Sequence, residues 1–294
     1  MTRYRFVEAE SRRYSVTQVC RIAQVSRTAY YEWQAREPSA RARADAALTA
    51  LIRAIHAASD GQYGVPRVLA ELRAQGQDVG RKRVARLMKA AGLRGRRPPR
   101  WVRTTTPEPT PPAIPDRVHG QFEAAAPDVL WMGDITYVRT WEGWLYLATV
   151  LDVFSRRVVG FALAAHMRAE LVCEALEMAV ATRGGPVTGV IFHSDRGSQY
   201  TSAEFRETCA THGVLQSMGK TGVCWDNALA ESFFATYKLE LIKRASWPTR
   251  ARARTATVRW IEAVYNRQRR HSAIDMRSPV DYEDRYWNRR DAAA

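Results

Sequence analysis

Long apolar runs are absent from this 294-residue chain. No stretch approaches the ~18 to 20 uninterrupted apolar residues that a membrane helix needs, and the start, MTRYRFVEAESRRYS, lacks the apolar core of a secretory signal. Cysteine is also sparse, and because the four cysteines form no Cys-x-x-Cys pair, a disulfide framework or a cysteine zinc site is not indicated. The 46% apolar content suits a folded protein, which we expect to be cytoplasmic.

Acidic residues are scarce at both ends of the chain. Residues 1–106 hold 22 Lys and Arg against 8 Asp and Glu, and residues 241–294 hold 13 against 6. The central residues 107–240 reverse this balance, with 10 against 16. Basic modules attract a polyanion by counterion release, and clustered carboxylates suit divalent cations. The charge pattern therefore indicates nucleic acid and metal, although a solvated basic surface without a partner is the alternative.

A helix-turn-helix segment is predicted within residues 1–40. Ser15 and Ser26 are each placed to cap a short helix, and a tight turn joins the two helices. Arg27 would then lie at the start of the second helix, where base or phosphate contacts usually arise. A small helical module used only for protein contacts has the same apolar pattern, so both interpretations remain open at this point.

A second helix-turn-helix, DNA-binding module is predicted over residues 41–100. Its last helix has apolar residues at helical spacing on one side, while Arg81, Lys82 and Arg83 face outward as candidate DNA contacts. The following residues, 101–127, are too rich in proline to pack as a helix or a central strand. We interpret them as a linker between domains.

The hydrophobic period changes to that of strands from residue 129 onward. The pattern predicts three antiparallel strands, then a helix, a strand, a helix, a short strand and a last helix. The short connection at 154–156 argues against a purely parallel sheet, since a parallel pair needs a longer crossover. This order predicts an α/β, RNase H-like core over 128–245, with a mixed five-stranded sheet; the family resemblance given below implies that it is an integrase catalytic core. A basic helical extension, 246–294, completes the chain.

Three carboxylates are candidates for catalysis. Asp134 lies in the middle of an apolar strand, where an isolated charge is costly unless it is paired or bound to a cation. Asp195 ends another apolar strand, and Glu231 shares one helix face with Lys238. Each alone is ambiguous, but together they could hold two Mg2+ (or Mn2+) ions that act on a phosphoryl group, with Lys238 holding a phosphate of the DNA.

Other polar residues near these strands have simpler interpretations. His193 precedes Asp195 by two residues, and we expect a packed or hydrogen-bonded histidine rather than a metal ligand. Asp152 lies near a turn, which its side chain would cap. Asp226 is placed to cap the helix that carries Glu231.

Two further sets of residues have open interpretations. Arg269 and Arg270 would either contact DNA or pack the C-terminal segment against the core, and the sequence divides these alternatives about evenly. Trp141 and Trp144 are as well suited to a structural role as to stacking on bases. The sequence alone favours neither alternative for either set.

The acidic motifs resemble a known family. The runs WMGDITY, HSDRGSQY and DNALAESFF contain the three carboxylates and resemble the D,D(35)E signature of insertion-sequence transposases. Thirty-five residues separate Asp195 from Glu231, and Lys238 follows seven residues after Glu231 as in that family. YNRQRRH and SPVDY resemble its C-terminal motif. Over nearly its whole length, the chain resembles the second-frame (OrfB) proteins of insertion-sequence family three, within the DDE transposase and retroviral integrase superfamily.

The resemblance implies an activity and partners. Such enzymes are metal-dependent DDE polynucleotidyl transferases that cleave double-stranded DNA at the element's terminal repeats and join the exposed 3′-hydroxyls to target DNA. It also implies a homo-oligomer on DNA in the bacterial cytosol or nucleoid, and a first-frame (OrfA) protein as partner or fusion. The alternatives are a non-catalytic DNA-binding partner or regulator of the frameshift-fused transposase, and an RNase H-like nuclease unconnected with transposition.

Overall fold

The protein is described by a computed structural model that covers residues 2–96, 114–219 and 228–292. The chain divides into two compact units, Met1–Gly95 and Arg96–Ala294. Residues 101–113 of the predicted proline-rich linker and the predicted helix cap Asp226 lie outside the described residues. Among the helices of the described residues, none is long and apolar enough to cross a membrane.

The first unit is helical. Its helices are α1 (Arg3–Glu10), α2 (Val16–Ile22), α3 (Arg27–Ala35), α4 (Ala40–Ala58), α5 (Val65–Ala74) and α6 (Arg81–Ala90). Both predicted caps are confirmed, because the side chain of Ser15 accepts a hydrogen bond from Gln18 N and that of Ser26 accepts one from Ala29 N. The short helix α1 was not predicted. Val7 is its only buried residue, so the sequence has no periodic apolar face there that would indicate a helix.

Two separate hydrophobic clusters stabilise this unit. One joins Val7 of α1 to buried residues of α2 and α3, among them Tyr30. The other is formed by α4, α5 and α6 around Ile52, Val68 and Leu87. The helices of this unit therefore pack as two groups of three.

The second unit is a five-stranded sheet with helices. Its elements are β1 (Leu130–Thr140), β2 (Gly143–Asp152), β3 (Val158–Ala164), α7 (Ala169–Thr182), β4 (Ile191–Ser194), α8 (Ala203–Thr211), β5 (Leu215–Met218), α9 (Ala228–Glu240), α10 (Arg250–Arg259) and α11 (Pro279–Asp291). The strand order is β3-β2-β1-β4-β5. The first three strands are antiparallel, and β4 runs parallel to both β1 and β5. The mixed, RNase H-like sheet predicted from the sequence is confirmed.

Helices cover both faces of this sheet. Ala148 and Val150 of β2 belong to a cluster with α7 and α8, whereas Leu147 and Leu151 of the same strand pack with α9 and α10. This alternation follows from the two-residue period of a strand. Gly160 allows α7 to approach β3 closely, because a Cβ atom there would lie 2.2 Å from the Ala175 carbonyl oxygen.

A π-helical turn, Trp260–Tyr265, follows α10. In this turn Asn266 N donates to Ile261 O at 2.9 Å, and the wider turn places Trp260 and Tyr265 in the same cluster as α9. The Asn266 side chain then acts like a neighbouring strand, since it accepts from Val158 N at 3.0 Å and donates to Val158 O at 2.9 Å. The beginning of the family's C-terminal motif is thus bound to the edge strand β3.

Candidate active site

Asp134 lies on β1, and Asp195 directly follows β4, the strand that pairs with β1. Met132 lies opposite His193 in the parallel ladder between these strands. Continued by two residues, the same register would set Asp195, the residue directly after β4, opposite Asp134. Neighbouring strands are about 4.8 Å apart, so this register predicts that the two carboxylates share one small region of the sheet edge.

Local backbone contacts orient both aspartates. Asp134 Oδ1 accepts a hydrogen bond from Ile135 N at 2.7 Å. Asp195 is exposed, and its Oδ1 accepts from Gly197 N at 3.0 Å in the loop that follows β4. Directly before Asp134, a Cβ atom on Gly133 would lie 2.2 Å from the Phe192 ring, so only glycine lets that ring pack beneath the site.

The charges of both aspartates influence the pKa of a nearby tyrosine, Tyr200. Its side chain is 2% exposed. Burial raises the pKa of Tyr200 well above its usual range, and the negative charges of Asp134 and Asp195 raise this pKa further. A single hydroxyl within reach of both charges agrees with the strand register in placing the aspartates together.

Helix α9 carries Glu231 and Lys238. It packs beside β1 through buried residues that include Phe233 and Tyr237, and Glu231 lies half-buried in its first turn. Burial raises the pKa of the Glu231 carboxyl. Burial also lowers the pKa of Lys238, while the charge of Asp134 acts in the opposite direction. Lys238 is therefore a half-buried cation on the Asp134 side of the helix.

The aspartate pair suits a hard divalent cation in its donor chemistry, because carboxylate oxygens are the ligands that Mg2+ prefers. Across residues 2–96, 114–219 and 228–292, however, no three His, Cys, Asp or Glu side chains are close enough together to form a metal-holding group. The metal-ligand roles of Asp134, Asp195 and Glu231 all remain predictions.

The predicted DNA contacts of the first unit differ in their surroundings. Arg27, Arg81 and Lys82 are exposed. Arg83 is instead only half-exposed, because its guanidinium pairs with Asp45 at 2.8 Å. Arg83 therefore supports the packing of α6 on α4, whereas Arg81 and Lys82 remain accessible on the surface.

The C-terminal arginines pack against the core. Arg269 is 8% exposed; its Nε lies 3.1 Å from both carboxylate oxygens of Glu240, and its guanidinium lies over the Tyr265 ring. Arg270 is half-buried and donates to Met276 O at 2.8 Å. Of the two alternatives for these residues, these contacts favour packing. The pair with Glu240 also fixes the end of α9, the helix of Glu231 and Lys238.

His193 and Asp152 have structural contacts, as expected. His193 is buried, and its Nδ1 lies 3.0 Å from Ser217 Oγ. Asp152 is fully buried, and its Oδ1 accepts from the backbone N of Ser155 at 2.7 Å and from its hydroxyl at 2.8 Å. Asp152 therefore caps the turn between β2 and β3.

Sequence reasoning missed three residues that matter for the site. Tyr200 lay within a motif, but a strand-and-loop pattern does not reveal that its hydroxyl is buried near both aspartates. Tyr137 lies under the Lys238 ammonium, with Nζ 5.4 Å from the ring centroid. Nothing in the sequence distinguishes Glu240 from other acidic residues in helices, because its partner Arg269 is distant in the sequence.

Family models agree with this division of the molecule. A model described as an integrase core domain matches residues 124–224, and a second integrase core model matches residues 212–279. A model described as an HTH-like domain matches residues 42–101. The fold and the matched domains define an integrase-core protein with a helix-turn-helix-like module.

Curated relatives identify the family more closely. The chain is 37% identical over 285 residues to the transposase InsF for insertion sequence IS3A of Escherichia coli (strain K12), covering 96% of this chain and 99% of the relative. It is 38% identical over 268 residues to the insertion element IS600 uncharacterized 31 kDa protein of Shigella sonnei, covering 91% and 98%. This chain belongs to the IS3 family of insertion-sequence transposases.

Solved structures include more distant matches. The catalytic core domain of HTLV-2 integrase, in complex with magnesium, matches 54% of this chain and 99% of its own with a TM-score of 0.42 and 17% identity. A simian T-cell lymphotropic virus intasome chain, in complex with a PP2A regulatory subunit, matches 79% of this chain and 74% of its own with a TM-score of 0.45 and 15% identity.

Proposed function

We propose that this transposase catalyses Mg2+-dependent DNA strand cleavage and strand transfer at the ends of its insertion sequence. The supporting observation is that the charges of both Asp134 and Asp195 act on the one buried Tyr200 hydroxyl, while α9, the helix of Glu231, packs beside β1. The three carboxylates would hold the metal. Bound there, two Mg2+ or Mn2+ ions would supply activation of an attacking water or 3′-hydroxyl and stabilisation of the leaving oxygen.

The protein's own groups would position the DNA in this reaction. Lys238 lies on the Asp134 side of α9, and a half-buried ammonium there can hold a phosphate next to the carboxylates. Glu231 extends from the first turn of the same helix. The Arg269–Glu240 ion pair anchors the far end of α9, so it is a positioning contact for both side chains.

The first unit would supply DNA affinity. Exposed Arg27, Arg81 and Lys82 are available for phosphate contacts on the double-stranded terminal repeats. In this proposal the protein acts in the bacterial cytoplasm as a homo-oligomer on paired element ends, with a first-frame (OrfA) protein as partner or fusion.

Carboxylate substitutions test the catalytic assignment. Asp134→Asn, Asp195→Asn and Glu231→Gln should each abolish joining of labelled element ends to a target plasmid while leaving duplex binding intact. Glu204→Gln, which changes an exposed acid on α8, is the matched control and should retain joining. Activity in any of the three variants would refute the role of that residue.

Metal binding needs its own measurement. Titration of the full chain with Mn2+, followed by electron paramagnetic resonance, should show bound metal that is lost in Asp134→Asn and kept in Glu204→Gln. Equal binding by all three proteins would place the metal elsewhere.

The regulatory alternative is tested with the wild-type chain alone. Purified protein, end-containing DNA, target DNA and Mg2+ should yield joined products without a first-frame partner. Specific DNA binding without joining, even with the first-frame protein added, would support the regulator instead.

A further inference from the structure

The outer half of the β1–β2 hairpin exposes aromatic side chains. Tyr137 is 55% exposed, Trp141 is 77% exposed and Trp144 is 39% exposed. Strand β4 pairs with β1 only from Leu130 to Met132, so the outer hairpin extends beyond it. Large exposed rings grouped on one short segment are typical of a binding surface rather than of a solvated one.

Cations accompany these rings. Arg139 lies opposite Trp144 in the ladder, with its guanidinium carbon 5.3 Å from the centroid of the Trp144 ring. The Tyr137 and Trp144 rings contact edge to face, with centroids 5.0 Å apart. On the other side, Lys238 lies over Tyr137. We call Tyr137, Arg139, Trp141 and Trp144 the hairpin platform.

The backbone of the hairpin platform is held in place. Trp141 N donates to Trp247 O at 3.0 Å. Arg250 at the start of α10 donates from its backbone N to Glu142 Oε2 at 2.7 Å and from Nε to Trp144 O at 3.0 Å. The exposed Trp141 ring therefore extends from a fixed turn, which lowers the entropy lost when a ligand binds.

We propose that the hairpin platform binds unpaired bases of the DNA strand that enters or leaves the active site. This inference rests on the proposed function. Bases stack on aromatic rings regardless of sequence, and nearby cations attract the phosphates between them. A base inside a duplex has both faces covered, so exposed rings are useful only to a base that has left the helix.

The position of the platform also favours a nucleic acid strand. Tyr137 follows Asp134 by three residues on β1, a backbone distance of about 10 Å at 3.3 Å per residue, and the odd spacing directs the two side chains to opposite faces of the strand. Lys238 connects the two places, because its charge interacts with Asp134 and its ammonium lies over Tyr137. A strand whose phosphate is held by Lys238 would pass its neighbouring bases along the platform.

Matched DNA ends test this inference. The full chain carrying Asp134→Asn, which prevents cleavage, is titrated against a labelled duplex element end with a short single-stranded overhang, and binding is followed by fluorescence anisotropy. The comparison DNA has an abasic overhang of the same length, so it keeps the phosphates and removes the bases. We expect the base-bearing overhang to bind about five-fold or more tightly than the abasic one.

Variants of the platform should remove this preference. Trp141→Ala and Tyr137→Ala should lower the ratio of the two affinities towards one, while Trp141→Phe should retain it. Trp287→Ala is the matched control, since Trp287 also lies beneath an arginine, Arg290, but on α11. Thermal denaturation checks that each variant is folded; Trp141 is exposed enough that its loss should not affect stability.

Several outcomes would overturn the inference. These are equal binding of the two overhangs by the Asp134→Asn chain, an unchanged ratio in Trp141→Ala together with Tyr137→Ala, or an equal loss in Trp287→Ala. Self-association of the chain that disappears in Trp141→Ala, without a base preference, would instead assign the platform to a second copy. Because the assay measures binding in a catalytically inactive chain, failure of strand transfer is detected separately.

Discussion

The two basic ends of the chain look similar in sequence but use their arginines differently. In the first unit, Arg81 and Lys82 lie exposed on α6. In the C-terminal segment, Arg269 is buried against Glu240, and the segment's buried acid Glu283 pairs with Arg183 of the core. Arg81 and Lys82 thus face solvent, whereas Arg269 and Glu283 attach the C-terminal segment to the sheet unit, in a segment that also carries exposed arginines such as Arg267.

The comparison shows that net charge does not locate a DNA interface. The charge of a buried arginine is already neutralised by its carboxylate partner, so this arginine attracts a phosphate only weakly. An exposed arginine can contact a phosphate and thereby release counterions from DNA. Through the Arg269–Glu240 pair, the C-terminal segment holds the end of α9 in place. Two experiments separate these roles of the arginines, and a third measures a helix cap in the first unit.

The largest expected effect is the loss of stability when the buried Arg269–Glu240 ion pair is broken. Arg269→Ala leaves Glu240 buried without its partner, and breaking such a pair costs about 3–5 kcal/mol of stability. Thermal denaturation of the full chain should show a clearly lower midpoint for the second unit.

Arg267→Ala is the control for this experiment, because Arg267 lies two residues away and is exposed. Its effect should stay within about 0.5 kcal/mol. Similar losses in both variants would contradict the distinction between buried and exposed arginines at this end.

An intermediate effect is expected from the exposed cations of α6. In Arg81→Ala with Lys82→Ala, the slope of log affinity for element-end DNA against log salt concentration should become shallower by about 0.9 for each lost phosphate contact. Arg83→Ala should change the slope less, because Arg83 is paired with Asp45. Identical slopes for wild type and the double variant would place the DNA contacts elsewhere.

The smallest effect should come from a helix cap in the first unit. Ser26→Ala removes the acceptor for Ala29 N, which lies at 3.0 Å, and should cost about 1 kcal/mol. Amide hydrogen exchange should report faster opening at the start of α3. The exposed Thr28→Ala, in the same turn, should leave exchange unchanged; equal acceleration in both would argue against the cap.

Much of the sheet unit was predictable because its strands carry strong local signals. Asp134 interrupts an apolar, β-branched run, and the three residues 154–156 are too few for a parallel crossover. The helix α1 was not predictable, because with Val7 as its one buried residue it has no clear periodic pattern. Its stability comes from packing against α2 and α3.

The candidate site was predictable only in part. Asp134, Asp195, Glu231 and Lys238 could be named from strand, loop and helix positions together with the family motifs. The involvement of Tyr200 could not be named, because its burial and its proximity to both aspartates depend on how β4 and α8 pack.

The sequence by itself determined which residue types occur on which elements, because hydrophobic period, caps and short connections are local properties. It thereby determined the integrase-like order of strands and helices and the candidate acids. Only the tertiary structure decided which arginines are buried, which rings of the hairpin remain exposed, and that the charges of Asp134 and Asp195 both act on the buried Tyr200. These are contacts between segments distant in the chain, and their energies depend on register, burial and partners that no local pattern contains.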